Sequence, residues 1–306
     1  MGISQYIKEI GRGPRGSKPL TREQAADLFG QLLDGNVTDL EIGAFCLAMR
    51  IKGETPEEMC GFLDAAHSRM ALFPASDRPV IVLPSYNGAR KLPVLTPLLA
   101  LLLAREGLPV LLHGMRTEAR RTLASDVLLA LGVPALTAPE KIATGSVAHI
   151  ETGYLHAALA RLLKVREVVG LRNAGHSIVK IMNPCAGPAV VVTSYTHPEY
   201  YDMLQATFGA LHMTALLSRG LEGEVATDPR RTPRYDAFVA GVHQLLQEQQ
   251  PGTAADVPGL PTEIDIDTTA RYTQDVLDGR LPVPPALAQQ VEHILHLAAQ
   301  TPPHAP

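Results

Sequence analysis

Cysteine is scarce in this chain of 306 residues. Cys46, Cys60 and Cys185 stand far apart with no C-x-x-C pair, which argues against a disulfide framework or a zinc knuckle and fits a reducing cytoplasm. Long apolar stretches are also missing. The longest runs from Leu92 to Ala104, stops at Arg105, and falls short of the roughly 20 residues that cross a bilayer. The opening of the chain has no apolar central region of the kind a secretory signal needs, so a cytoplasmic protein is expected. A basic excess is absent too. With 27 Lys and Arg against 31 Asp and Glu, and a net charge of -4, bulk charge alone cannot draw the chain to a polyanion. Any such partner must be met by a local patch. His113, His156, His176 and His197 form no H-x-x-x-H spacing and read as hydrogen-bonded structural residues, so no metal is assigned. Ser85 has no G-x-S-x-G setting and Cys185 has no identifiable base, which argues against nucleophilic catalysis. No repeat or low-complexity block interrupts the sequence before a proline-rich tail at 301–306, read as flexible.

What is present reads as an ordinary globular protein, one large domain with a smaller partner. Thr21 and Gln24 make a capping box, and Ala25, Leu28, Phe29, Leu32 and Leu33 follow at helical spacing. Gly35-Asn36 breaks that helix, Thr38 starts another carrying Ile42, Phe45, Cys46 and Met49, and Thr55-Pro56 starts a third. Beyond Asp77 the texture changes. Val80 to Leu83 reads as a strand, Leu95 to Arg105 as a helix and Pro109 to Leu112 as a strand, a unit that calls for a buried parallel sheet. A helix from Asp126 to Leu131 and strands at Val190 to Thr193 and Ala215 to Leu217 extend it. The expected fold is α/β, a small N-terminal helical domain beside a larger domain with a central, mainly parallel sheet.

Several stretches, taken in order, resemble the anthranilate phosphoribosyltransferase family of glycosyltransferases. Arg105 to Gly114 is similar to its G-x-x-V-x-K-H-G-N stretch, and Ala124 to Gly132 to its S-A-D-V-L-E-A-L-G helix. His156 stands where that family has its H-P-A-M histidine, and Gly170-Leu171-Arg172 with Asn183-Pro184 brackets its L-G-x-R-T-x-F-N-x-L-G-P-L-x-N-P segment. The resemblance implies a nucleoside-phosphorylase-like fold: a helical domain at 1–72, completed by helices around 155–184, and an α/β domain at 78–154 and 188–300.

Within that frame the family's ligand residues depart. Its G-T-G-G-D phosphate loop falls on Pro84-Ser85-Tyr86-Asn87-Gly88, replacing glycines that let amides wrap a pyrophosphate. Its N-I-S-T becomes Val94-Leu95-Thr96-Pro97, which leaves one hydroxyl, Thr96, and K-H-G-N becomes Leu112-His113-Gly114-Met115. The acidic pair that holds magnesium falls on Val225 and Ala226, with Glu222 and Glu224 nearby but out of register. The runs P-S-Y-N-G-A-R-K, R-N-x-x-H, E-G-E-V, Ile7 to Gly13 and Leu40 to Gly43 resemble instead the YbiB-type branch. That resemblance implies a homodimer that binds DNA and RNA with little sequence preference, without cofactor.

The residues expected to touch nucleic acid follow from charge placement. Arg90 and Lys91, with Asn87, stand in the turn where the family holds phosphate, and Thr96 follows. Tyr86 has two open readings, a base stacked on its ring or simple packing. Lys8, Arg12, Arg15 and Lys18 form a basic arm, read equally as a strand-following segment or a frayed terminus. Arg161, Lys164, Arg166, Arg172 and Lys180 carry five charges against Glu167 alone, and on the family's geometry they run beside the interdomain cleft. Arg116, Arg120 and Arg121 follow the second strand, with Glu118 partly offsetting them. The alternative is a phosphoribosyl or glycosyl transferase that uses phosphoribosyl pyrophosphate with magnesium and takes a small aromatic acceptor near Arg172.

Overall fold

The computed structural model describes residues 2–13, 15–117, 120–254 and 256–302. Glu118 and the last four residues of the proline-rich tail lie outside them. Four helices come first: α1 (Ser4–Ile10), α2 (Arg22–Leu33), α3 (Asp39–Lys52) and α4 (Pro56–His67). Capping boxes open three of them, Thr21 with Gln24, Thr38 with Glu41 and Thr55 with Glu58, each satisfying backbone N–H groups that a helix start leaves unpaired. Phe29, Phe45 and Phe62 meet at the centre with ring centroids 4.9 to 6.2 Å apart. Glu58 does more than cap. Fully buried, it accepts from the Leu20 and Thr55 amides at 2.9 Å and pairs with Lys52 Nζ at 2.5 Å, tying the chain before α2 to the turn between α3 and α4.

The rest alternates. In chain order come β1 (Val80–Ser85), α5 (Thr96–Arg105), β2 (Val110–Gly114), α6 (Ala124–Ala130), β3 (Ala135–Leu136), β4 (Val147–Glu151), α7 (Thr152–Leu155), α8 (Ala157–Val169), α9 (Gly175–Ile178), β5 (Ala189–Tyr195), α10 (Glu199–Ala210), β6 (Ala215–Arg219), β7 (Tyr235–Val239), β8 (Val242–Gln247), α11 (Ile266–Leu277) and α12 (Pro285–Gln300). The eight strands form one sheet in the order β3-β4-β2-β1-β5-β6-β7-β8. Strands β1 to β6 pair in parallel, and the β7–β8 hairpin adds two antiparallel strands at one edge. β1 and β5, central in the sheet, are buried almost end to end and open with apolar runs, Val80 to Leu83 and Ala189 to Val192, as buried parallel strands do. Helices α8 and α9 leave the sheet and pack against α2 and α4.

The α/β fold with its N-terminal helical unit is as the sequence implies. β4 and the β7–β8 hairpin have no expectation in the sequence reading, because β4 is short and mixed and β8, an edge strand, is largely exposed or half-buried. No helix among the described residues is long and apolar enough to cross a membrane.

Candidate nucleic-acid interface and a filled oxyanion cradle

The loops that leave β1, β2, β5 and β6 gather at one edge of the sheet, beyond the carboxyl ends of its parallel strands, where α/β proteins hold ligands. After β1 the chain turns through Tyr86, Asn87 and Gly88. Gly88 has φ +63°, and a Cβ there would come within 2.7 Å of the Thr122 carbonyl, so the turn takes no other residue without strain.

That turn forms a cradle of donors with an occupant supplied by the chain. Glu224 Oε1 accepts from the Asn87 and Gly88 amides at 3.0 and 2.8 Å, and its Oε2 accepts from Ser85 Oγ and Thr96 Oγ1 at 2.7 and 3.0 Å. Thr96 is the first residue of α5, so the carboxylate also lies at a helix N-terminus, whose dipole favours negative charge. Glu222 does the same one step out. Its Oε2 accepts from the Arg90 and Lys91 amides at 2.9 and 2.8 Å, while Arg90 and Arg121 stand 3.6 and 3.8 Å from its Oε1. To aim both carboxylates inward, Glu222 takes a left-handed φ of +56° and Gly223 one of +83°. A side chain at Gly223 would collide with Asn87 Nδ2 and Lys180 Nζ.

The turn therefore keeps its amide donors in spite of losing glycines, a correction to the expectation that they are gone. Thr96 is wholly buried and committed to Glu224, so it is a lining of the cradle rather than a contact for an outside phosphate. Asn87 is buried as well, donating from Nδ2 to the Glu222 carbonyl at 2.6 Å and accepting at Oδ1 from Arg172 at 3.1 Å. Tyr86 is corrected more sharply. It points into the core, its hydroxyl 2.8 Å from both His113 Nδ1 and Thr152 Oγ1, so its ring offers no face to a base. Burial alone pushes the His113 pKa down to about 3, which keeps this imidazole neutral.

Outside the cradle lies an open groove of about 520 Å3. Arg90, Lys91, Arg121 and Arg172 reach it from the sequence-predicted side, and Arg219, Arg230 and Arg231 from β6 and the loop after it. The acids that line it, Glu222 and Asp228, are turned inward with side chains only 6% and 9% exposed. Both pair with cations of the same groove, Glu222 with Arg90 and Arg121 at 3.6 and 3.8 Å and Asp228 with Arg230 and Arg231 at 2.9 and 3.7 Å, and among the described residues seven cationic side chains line it against these two acids. Arg219, Arg230 and Arg231 were absent from the sequence reading, although the run Asp228-Pro229-Arg230-Arg231-Thr232-Pro233-Arg234 holds three arginines in five residues.

Other expected residues fall elsewhere. Lys8, Arg12, Arg15 and Lys18 are exposed on the helical unit, Arg12 pairs with Glu9 at 2.6 Å, and none of the four lines the groove. Arg161 and Lys164 are exposed on α8, away from the groove lining, and Arg166 reaches the Thr117 carbonyl at 3.2 Å. Arg116 is paired with Asp126 at 2.5 Å and is likewise no part of the lining. Lys180 lies behind Arg172, its Nζ 3.4 Å from the Gly223 carbonyl. Burial, reinforced by Arg172, pulls its pKa down to about 8.

Magnesium and a pyrophosphate do not fit these residues. Val225 and Ala226 are buried in the apolar core, Glu224 is held by two amides and two hydroxyls, and Glu222 is held by two amides with Arg90 and Arg121 beside its other oxygen.

A helical bundle beside an α/β sheet, with an oxyanion cradle at the carboxyl edge, defines the phosphoribosyltransferase-like class. The glycosyl transferase family helical bundle domain matches residues 4–70. The uncharacterized protein YbiB of Escherichia coli strain K12 is 36% identical over 298 residues, covering 95% of this chain and 92% of that one. Anthranilate phosphoribosyltransferase of Persephonella marina is 28% identical over 295 residues, 91% of this chain and 83% of the enzyme. Among solved structures, the Thermus thermophilus anthranilate phosphoribosyltransferase superposes with a TM-score of 0.74 at 21% identity, covering 97% of this chain and 87% of that one. The yeast enzyme, solved in complex with phosphoribosyl pyrophosphate and magnesium, gives 0.69 at 13% identity, over 97% and 88% of the two chains. The chain belongs to the YbiB-type branch of the anthranilate phosphoribosyltransferase-like family.

Proposed function

We infer that this chain binds DNA or RNA strands through the groove, with little sequence preference, and works as a homodimer without cofactor. The observation that carries this reading is the contrast at one edge of the sheet. The cradle that could grip a small phosphate is filled by Glu224, while seven cationic side chains line the groove beside it against two acids, Glu222 and Asp228, which leaves a net positive lining. Arginines and lysines on an open surface follow a phosphate backbone without reading bases. The dimer draws on α3, where Leu40, Leu47 and Ile51 are 87%, 48% and 58% exposed along one helical face, a stripe that a second copy would cover.

The test is anisotropy with labelled single strands and duplexes across a salt series. The logarithm of affinity is expected to fall linearly with the logarithm of salt for every sequence. No binding at low salt, or binding indifferent to salt, overturns the reading. Light scattering checks the dimer: a monomer at micromolar concentration, or a dimer unaffected by Leu47→Glu, rejects it. Phosphoribosyl transfer is the second reading, favoured by family membership and by the amide donors the turn retains. It predicts thermal stabilisation of the wild-type chain by phosphoribosyl pyrophosphate with magnesium, where the strand-binding reading expects none.

A further inference from the structure

The groove does not end at Arg172. Behind it a second cavity of about 510 Å3, of the size that holds small ligands, opens between the helical unit and the sheet. Arg172, Thr196 and His197 line both spaces, so the two adjoin. Met49, Gly53 and Glu54 from the end of α3 contribute one wall, and the half-buried rings of Tyr195 and Tyr200 line it from the sheet and α10.

Lys180 is the feature that asks for a ligand here. Its ammonium makes one long hydrogen bond, to the Gly223 carbonyl, and no described carboxylate lies within ion-pair distance of it. A cation drawn out of water beside a second cation is unfavourable until an anion completes the site. The neighbouring carboxylate that could have served, Glu224, is held by its four donors in the cradle. An anion at the mouth and a flat ring further in are the two parts of one nucleotide.

We propose that this cavity receives one unstacked base of a strand lying in the groove, with the flanking phosphate beside Arg172 and Lys180 and the ring against Tyr195 and Tyr200. The proposal rests on strand binding in the groove and adds to it. It moves the stacking role from Tyr86, which is buried, to rings that border open space. A duplex keeps its bases paired and stacked, so it engages the groove alone. A single strand gains the cavity as well.

The test uses the full chain and three oligonucleotides of equal length: a single strand with one 2-aminopurine, the same strand with abasic sites, and a duplex. With wild-type protein the 2-aminopurine emission is expected to change on binding, and the abasic strand to bind about tenfold more weakly than the intact one, as expected when one stacked base is lost. Tyr200→Ala is expected to remove the emission change and most of that difference, with duplex affinity as the internal reference. If strands and duplex both bind but emission is unmoved and the abasic strand binds as well as the intact one, the cavity proposal is overturned while the groove reading stands. That comparison needs no variant, so a misfolded Tyr200→Ala does not blunt it. If neither strand nor duplex binds at low salt, both readings fall. If free uridine monophosphate enters the cavity as tightly as the intact strand binds, the strand as source of the nucleotide is overturned.

Discussion

The cradle and the groove lie side by side and are both built to meet negative charge, yet only one is satisfied from within. In the cradle, two amides and two hydroxyls converge on Glu224, and two further amides hold Glu222. In the groove, seven long cationic side chains outnumber the two acids that some of them pair with. The difference separates two kinds of anion site. Fixed backbone donors suit one small, well-placed oxyanion, whereas flexible charged heads suit a polymer that presents phosphates at many positions.

Removing the internal occupant should have the largest effect. Glu224→Ala strands four donors in a buried turn and is expected to cost about 3–5 kcal/mol, read from denaturant midpoints. Formate or inorganic phosphate should restore part of that loss in the variant and leave the wild-type midpoint unmoved. A variant as stable as wild type, or one indifferent to both anions, would show that the cradle is no oxyanion site.

Breaking the groove should leave stability alone. Arg90 and Lys91 contribute their amides to Glu222 whatever their side chains, so the double alanine variant keeps the cradle and should shift stability by no more than about 0.5 kcal/mol. Its affinity should drop for every sequence, and the salt slope should flatten by roughly one to two units. A loss confined to some sequences would point to base reading instead.

Lys180, between the two regions, should show opposite pH trends in stability and in binding. Its folded pKa lies near 8, below the ordinary lysine value, so between the two the unfolded chain carries more protons. Stability therefore rises with pH across that window, as the buried charge is discharged, while strand affinity falls with it. Lys180→Met should flatten both trends relative to wild type; parallel profiles for the two proteins would reject the assignment.

The smallest effect is expected at Tyr86. Tyr86→Phe removes a buried hydroxyl from His113 and Thr152, costing about 1 kcal/mol, and should change single-strand affinity not at all. Weaker single-strand binding with unchanged stability would restore the stacking reading.

Much of the fold was legible because its signals are local. The capping boxes at Thr21, Thr38 and Thr55 sit within four residues of sequence, and β1, α5 and β2 declare themselves by apolar runs between turn residues. The site was legible only where charge and position coincide, as at Arg90, Lys91 and Arg172. Tyr86 and Thr96 were misplaced because nothing in the sequence says which way a side chain beside a turn will point. Glu222 and Glu224 were seen but not understood. Their register against the family's acidic pair suggested displacement, and what they do instead, fill the donor cradle themselves, depends on a turn far away in the chain.

That distance has a kinetic consequence. The donors around Glu224 are separated from it by 128 to 139 positions, so the contact cannot form until β1 and β6 both stand in the sheet. Closing so large a loop is slow to be rewarded, and contacts of this kind belong to the late side of the folding barrier. Loss of Glu224 should accordingly hasten unfolding by roughly two to four orders of magnitude and leave the refolding rate nearly unchanged, so the carboxylate acts as a latch that prolongs the life of the assembled sheet.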